Sequence, residues 1–151
     1  MRTFVVVSLL SLAACGGGEA APPATPSASA VPSAAEPQTF AEQVAAGQKL
    51  YAANCASCHG AGGEGAKGPR VVGVDKGALP LDPPATAKFR KTQFHTAADI
   101  AGFVVPNMPP GGPSLKESEY WSILAFDLHA NGVDLPKKID GSNAKDVVIH
   151  K

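Results

Sequence analysis

Cys55-Ala56-Ser57-Cys58-His59 is the most informative run of residues in this chain. Two cysteines are separated by two residues, and a histidine follows the second cysteine directly. Thiols at this spacing can form thioether bonds to the two vinyl groups of one haem, and the histidine then lies beneath the iron as an axial ligand. The run therefore predicts one covalently bound haem c, attached through Cys55 and Cys58, with His59 bound to iron.

Two other kinds of site contain a C-x-x-C pair. A redox-active dithiol belongs to a βαβ pattern, whereas this chain has short helical stretches separated by Gly- and Pro-rich loops. A zinc site needs two more ligands at close spacing, and the sequence has neither a second C-x-x-C nor an H-x-x-x-H run. The dithiol and the zinc site are the alternatives to haem attachment.

The first residues have the pattern of an export signal. Met1-Arg2 precedes an apolar run over residues 4–14, which is too short to span a bilayer but fits a signal peptide. The run ends in Leu12-Ala13-Ala14-Cys15, which resembles the lipobox of bacterial lipoproteins. We expect residues 1–14 to be removed and Cys15 to receive a diacylglycerol. An ordinary signal peptide with a free thiol at Cys15 is the alternative.

Residues 15–38 are predicted to form a disordered tether. After Cys15 they are almost wholly Gly, Ala, Pro, Ser and Thr, so they cannot bury enough apolar surface to fold. We therefore expect a domain anchored by lipid on the periplasmic side of a bacterial membrane. Many Gram-negative lipoproteins kept at the inner membrane have an aspartate after the lipidated cysteine. This chain has Gly16 there, which favours the outer membrane.

The folded domain is predicted to be all-α and to extend over residues 39–135. Thr39 and Glu42 form a T-x-x-E capping box at the start of a first helix. Gly47 within this helix is destabilising by up to about 1 kcal/mol relative to alanine, which a close helix–helix crossing would explain. The apolar stripe of the helix consists of Phe40, Val44, Gly47 and Tyr51.

Two more helices are predicted after the C-x-x-C-H run. A middle helix fits residues 96–105, with Thr96 and Asp99 at its start and Pro106 ending it. A last helix over residues 116–131 is the expected partner of Gly47, and Asn131-Gly132 supplies its stop. Its apolar stripe consists of Trp121, Leu124, Ala125 and Leu128.

The start of the last helix and the end of the chain leave alternatives open. Ser114 with Glu117 forms a capping-box pattern, although Lys116 can also be the boundary residue. Residues 136–151 are predicted to be a C-terminal tail without strong periodicity, which could wrap the domain or contact a partner.

Residues 40–132 together resemble the class I c-type cytochromes. The resemblance implies a small cytochrome c fold of three to four helices around one haem, in which the first and last helices cross near the haem edge. It also implies that the backbone carbonyl of Pro69 accepts a hydrogen bond from the second ring nitrogen of His59. The motifs that carry it are Gly47 and Tyr51, Cys55-Ala56-Ser57-Cys58-His59-Gly60, Gly68-Pro69, Met108-Pro109 and Tyr120-Trp121.

Met108 is the candidate for the second axial ligand. The chain has two methionines, and Met1 is expected to leave with the signal peptide. Met108 lies in a loop rich in Pro and Gly that can hold a thioether at a set position, and class I cytochromes supply their axial Met here. A gap-filling core methionine is the alternative. The other histidines, His95, His129 and His150, are rival ligands, although such residues are more often on the surface.

Ligation by His59 and Met108 predicts a carrier of single electrons rather than an enzyme. With both axial positions filled by protein, the iron has no open position for substrate, and thioether ligation favours the ferrous state. The alternatives are a haem subunit of a larger oxidoreductase complex, a haem-based ligand sensor, and a peroxidase. A peroxidase usually needs a second haem, and only one C-x-x-C-H run is present.

The expected partners are redox proteins that dock transiently at the haem edge. Two groups of basic residues could surround that edge and favour an acidic partner, or could be ordinary solvated charges. Lys plus Arg number 13, as do Asp plus Glu, so nothing points to nucleic acid. The two basic groups are Lys67, Arg70 and Lys76, and Lys88, Arg90 and Lys91.

Overall fold

The computed structural model describes residues 35–149, except residues 89 and 113. Predictions for the signal peptide, Cys15, most of the tether and His150 therefore lie outside the described residues. The described part contains α1 (Phe40–Asn54), α2 (Ala56–His59), α3 (Ala97–Asn107) and α4 (Glu117–Ala130), with short 3-10 helices at Val74–Lys76 and Ala144–Asp146.

The prediction of an all-α fold is confirmed. The described residues contain no β-strand, and one isolated antiparallel bridge pairs Thr96 with Val148. None of the described helices is long and apolar enough to cross a bilayer.

α1 begins where the capping box predicts. The Glu42 N–H donates to Thr39 Oγ1 at 3.2 Å, and the Thr39 N–H donates to Glu42 Oε2 at 3.1 Å. Each side chain thus satisfies an N–H group that the first turn of a helix leaves unpaired.

The predicted close crossing of the first and last helices is confirmed at Gly47. A Cβ atom added there would lie 1.8 Å from the backbone oxygen of Ser122, on α4. No side chain larger than hydrogen fits at that distance, so the glycine is required by the contact between two backbones.

α4 is the central helix of the domain, and eight of its residues are buried. One side packs into a cluster around Trp121 and Leu124 that includes Phe40 and Ala101. Its start follows Lys116, whose N–H donates to Glu119 Oε2 at 2.7 Å. The Lys116 boundary is therefore correct, and the Ser114–Glu117 box is wrong.

α3 continues through Pro106 and ends at Asn107, two residues beyond the predicted end at residue 105. A proline in the last turn removes only one backbone hydrogen bond near the end of the helix. The Asn107 side chain donates to the Phe103 carbonyl at 2.7 Å, and the Met108 N–H donates to Val104 at 2.8 Å. The helix therefore ends directly at Met108.

Residues 136–149, predicted as a separate tail, pack against the rest of the domain. Ile139 is 0% exposed, and its backbone N–H and carbonyl both bond to the buried Gln43 side chain, at 2.9 and 2.7 Å. Further on, Val147 accepts from the Ala97 N–H at 3.0 Å. The segment therefore wraps the domain, which was one of the two alternatives, and contacts the start of α3.

Candidate haem-binding site

The C-x-x-C-H run forms one helical turn directly after α1. The N–H groups of Cys58 and His59 both donate to the Cys55 carbonyl, at 3.1 and 2.9 Å. Residues three and four positions apart lie on the same face of a helix. The turn therefore places Cys55, Cys58 and His59 on one side, as attachment to a single haem requires.

The two thiols are free, with Cys55 half-buried and Cys58 exposed. Burial raises the pKa of the Cys55 thiol to about 11, and the negative charges of Asp127 and Cys58 add to this effect. Redox-active C-x-x-C pairs need the opposite change, a lowered cysteine pKa. The environment of Cys55 therefore argues against the dithiol alternative.

A hydrogen bond shows which ring nitrogen of His59 carries a proton. His59 Nδ1 lies 2.7 Å from the Pro69 carbonyl oxygen. A carbonyl can only accept, so Nδ1 carries the proton and Nε2 keeps its lone pair. The contact implied by the cytochrome resemblance is present, and it prepares Nε2 to bind a metal ion such as haem iron.

The loop that carries Pro69 folds back closely onto the C-x-x-C-H turn. The Gly68 N–H donates to the Cys58 carbonyl at 2.7 Å, and the Gly65 N–H donates to the His59 carbonyl at 2.6 Å. A Cβ atom on Gly68 would lie 3.2 Å from His59 Cε1, closer than most real Cβ contacts. Gly68 therefore gives the Pro69 carbonyl close access to the imidazole.

Asn131 ties the same loop to α4. Its Oδ1 accepts from the Gly73 N–H at 2.9 Å, and its Nδ2 donates to the Val71 carbonyl at 3.2 Å. The sequence pattern indicates Asn131 only as a stop signal for α4. The Asn-Gly pair signals a helix end but carries no information about a distant loop, so this role could not be found from the pattern.

Met108 lies directly after α3 and is half-buried. Its backbone is extended, with φ −128° and ψ 141°, and its peptide bond to Pro109 is cis. The hydroxyl of Tyr120, on α4, donates to the Met108 carbonyl at 2.7 Å. Met108 belongs to neither apolar cluster of the described residues, which argues against a gap-filling role.

A second apolar cluster connects the haem-attachment turn with the segment after Met108. Tyr51, Ile123 and Phe126 form its buried centre. Cys55 packs against this centre from the attachment turn, and Leu115 packs against it from the start of α4. The cluster therefore fixes both segments to the crossing of α1 and α4.

Two buried polar groups lie at this crossing. Asp127 Oδ1 and the Tyr51 hydroxyl are buried and have no hydrogen-bond partner among the described residues. Burial raises the pKa of Asp127 to about 7 and also raises that of Tyr51, to which the Asp127 charge contributes. Nothing in the sequence around Asp127 predicted that its carboxyl would be buried.

Two of the three rival histidines, His95 and His129, lie on the surface, and His150 is outside the described residues. The His95 side chain is 58% exposed, with Nε2 3.3 Å from Gln93 Oε1 and 3.7 Å from Asp82 Oδ1. His129 Nδ1 lies 2.6 Å from Asp134 Oδ1. Both imidazoles contact neighbouring polar side chains outside the attachment turn.

One predicted surface charge is buried. Arg90 is 7% exposed and donates to the backbone carbonyls of Pro80, Leu81 and Thr92. Its guanidinium also lies over the Phe94 ring, 3.9 Å from the centroid. Arg90 therefore organises its own loop, whereas Lys67, Lys76, Lys88 and Lys91 are exposed.

Known cytochromes match this sequence over most of the described domain. The family described as "Cytochrome C oxidase, cbb3-type, subunit III" matches residues 42–126. The "Cytochrome bc1 complex cytochrome c subunit" of Corynebacterium efficiens is 29% identical over 147 residues, which cover 88% of this chain and 48% of that protein. The "Thiosulfate dehydrogenase" of Stutzerimonas stutzeri is 32% identical over 107 residues, which cover 68% of this chain and 32% of that protein.

The fold is similar to that of a solved redox enzyme. The crystal structure of the sulfane dehydrogenase SoxCD from Paracoccus pantotrophus superposes with a TM-score of 0.52 and 31% identity, covering 70% of this chain and 52% of that one. This chain spans about half the length of these relatives or less. Because the matched region contains the C-x-x-C-H run, the Pro69 loop, Met108 and most of α4, the chain belongs to the c-type cytochrome family described as cytochrome c oxidase, cbb3-type, subunit III, whose members carry haem c and transfer electrons.

Proposed function

We propose that this chain is a single-haem electron carrier in which His59 and Met108 are the two axial iron ligands. The observation that carries the proposal is the 2.7 Å contact between His59 Nδ1 and the Pro69 carbonyl, which reserves Nε2 for a metal. Met108 supports it as the methionine of a segment held to α4, at the position where the family supplies its axial thioether. The single C-x-x-C-H run supports one haem.

Each residue of the site has a separate role in this proposal. Cys55 and Cys58 hold the haem by thioether bonds, and His59 and Met108 fill the axial positions. The haem supplies one-electron oxidation and reduction, with the thioether favouring iron(II). The close packing of α1 on α4 keeps the two ligand segments in place, so little protein movement is needed when the charge changes.

We also infer that the chain works without an enzymatic activity of its own. Two protein ligands leave no open coordination position for a substrate. Electrons would then pass to and from redox partners through small, short-lived interfaces. The exposed Lys67 and Lys76 follow the attachment turn and would favour an acidic partner surface.

A second candidate is a fixed haem subunit of a larger oxidoreductase complex. The relatives favour it, since they are a bc1 complex cytochrome c subunit and two dehydrogenases. The two candidates differ in assembly: a carrier purified from native membranes in mild detergent should migrate alone, whereas a subunit should migrate with the haem-containing complex.

We further propose that the protein is exported and anchored by a diacylglycerol on Cys15, on the periplasmic side of the outer membrane. The apolar run over residues 4–14, the following Cys15 and Gly16 support this arrangement. Cys15→Ser should retain covalent haem but move the protein from the membrane fraction to the soluble fraction. If the variant stays on membranes in high salt, the anchor is a membrane-spanning segment or a tightly bound partner.

The axial ligands are tested by Met108→Ala. The oxidised wild-type protein should be low-spin, with the weak near-infrared band of a sulfur–iron(III) bond, and should bind carbon monoxide poorly. Met108→Ala should lose the band, bind carbon monoxide and cyanide, and lower the reduction potential by on the order of 100 mV, since axial ligands set haem potentials over a wide range. If the variant keeps the wild-type spectrum and potential, Met108 is not a ligand. A wild-type protein that binds carbon monoxide readily would indicate a sensor or catalyst.

A further inference from the structure

Tyr120 makes a contact that neither the fold nor haem attachment requires. Its side chain is 4% exposed, in the first turn of α4, and its hydroxyl donates to the Met108 carbonyl at 2.7 Å. The ring alone would fill the same space, so the hydroxyl is the part that acts on Met108. Tyrosine rather than phenylalanine at this position therefore points to a role in placing the methionine.

Few other hydrogen bonds hold residues 108–112. The Met108 N–H donates to Val104 at 2.8 Å as the last bond of α3, and the Gly112 N–H donates to the Pro109 carbonyl at 3.1 Å within the segment itself. Within the described residues, Tyr120 is the one group outside α3 and residues 108–112 that hydrogen-bonds to residues 108–112. A single hydroxyl thus supplies the one hydrogen bond that joins residues 108–112 directly to α4 in the described part of the chain.

We propose that Tyr120 is a positioning residue that keeps Met108 in place as an iron ligand. This inference rests on the proposed function, in which the Met108 sulfur binds iron. The bond is present when Met108 lies against α4 and is lost when residues 108–112 swing away. It therefore lowers the fraction of molecules in which the methionine has left the iron.

An external ligand measures that fraction. Imidazole can bind the iron only in molecules whose methionine has left, so its apparent dissociation constant is the intrinsic constant divided by that fraction. Removing one hydrogen bond between neutral groups should increase the fraction by about two- to tenfold. The affinity for imidazole should rise by the same factor.

The test compares Tyr120→Phe with Ser122→Ala in the oxidised holoprotein. Ser122 is on the same helix and is also buried, but its hydroxyl donates to the Ser118 carbonyl at 2.9 Å, inside α4. Imidazole is titrated while the near-infrared sulfur–iron(III) band is followed. We expect Tyr120→Phe to lose the band at about two- to tenfold lower imidazole concentration than wild type. Ser122→Ala should behave as wild type, and all three proteins should retain covalent haem.

The outcomes separate this inference from the proposed function. If Tyr120→Phe binds imidazole with wild-type affinity, or if Ser122→Ala shows the same increase, the positioning role is wrong while Met108 remains a ligand. If the wild-type protein lacks the band and Met108→Ala leaves the spectrum unchanged, the proposed function itself is wrong. A selective increase in Tyr120→Phe supports the inference.

Discussion

The two proposed ligand segments, residues 55–73 and residues 107–112, are held in different ways. Around His59 the backbone closes on itself, through bonds to the carbonyls of Cys58, His59 and Gly63. The Met108 backbone instead has one hydrogen bond to α4, which is donated by the Tyr120 side chain. Backbone bonds survive most substitutions, whereas a side-chain bond is lost with one. The histidine side is therefore fixed for attachment, and the methionine side is where a single residue can change ligand exchange and potential.

The two segments also differ in the polar groups buried beside them. The turn that carries Cys55 packs near Tyr51 and Asp127, whose buried oxygens have no hydrogen-bond partner among the described residues. Residues 107–112 show no such group in the described part. The attachment side thus has several backbone hydrogen bonds but also includes buried polar groups that destabilise it locally, which the described part of the methionine side lacks.

The largest expected effect separates the segments by covalent chemistry. Cys55→Ala combined with Cys58→Ala should abolish haem staining on a denaturing gel, because no thioether remains. Met108→Ala, the control in the other segment, should stain like wild type. Covalent haem in the double variant would show that attachment uses other residues.

The second prediction concerns the stability of the attachment side as a function of pH. Asp127 has an ordinary pKa of 3.8, and burial raises it to about 7 in the folded protein. The Asp127 carboxyl therefore binds its proton more tightly in the folded state than in the unfolded state. The free energy of unfolding is highest, as far as Asp127 contributes, below about pH 4, and it falls as the pH rises to about 7. Asp127→Asn cannot ionise, so it should be more stable than wild type by roughly 2–4 kcal/mol at pH 8 and by little at pH 4.

Denaturant unfolding of the holoprotein at both pH values measures this difference. The variant at pH 4 is the control, because both proteins then carry an uncharged group at residue 127. An equal gain at the two pH values would mean that Asp127 is not ionised at pH 8 or finds a partner that the geometry does not reveal.

The third prediction tests whether the two segments are independent. Asn131→Ala removes the side-chain bonds to Val71, Gly73 and the Asp127 carbonyl and should destabilise the domain by about 1–2 kcal/mol, as expected for three exposed hydrogen bonds. Its imidazole affinity should stay within about twofold of wild type, unlike that of Tyr120→Phe. Thermal unfolding and the imidazole titration are the two measurements. If Asn131→Ala increases the imidazole affinity as much as Tyr120→Phe does, the two ligand segments are coupled through α4.

Local signals in the sequence predicted most of the fold. The T-x-x-E box predicted the start of α1. Gly47 predicted the crossing, because glycine destabilises the middle of a helix and is expected there only where another backbone comes close. The predicted end of α3 was wrong because a proline is tolerated in the last turn of a helix. The sequence did not decide whether residues 136–149 wrap the domain, because Ile139 is held by the Gln43 side chain, a contact between distant residues that leaves no periodic pattern.

The site divides in the same way. Cys55, Cys58 and His59 form a contiguous motif, and the Pro69 contact follows from a resemblance over a short loop. In the sequence, Tyr120 is part of the Tyr-Trp motif of the last helix and Asn131 is its stop signal. Their bonds to distant loops depend on how α4 crosses the domain. Sequence spacing describes one element at a time, so contacts between elements have to come from the structure.

The smallest expected effect tests the identity of the methionine-side ligand. His95 precedes α3, whereas Met108 follows it, so the two candidates lie at opposite ends of the same helix. The His95 side chain is 58% exposed and lies near Asp82 and Gln93, so His95→Ala should change stability by less than about 0.5 kcal/mol. The near-infrared band, reduction potential and imidazole affinity should all equal those of wild type. If His95→Ala alters the spectrum and potential while Met108→Ala alters neither, the iron has two histidine ligands. The second ligand would then come from the loop before α3, and Tyr120 would have no ligand to position.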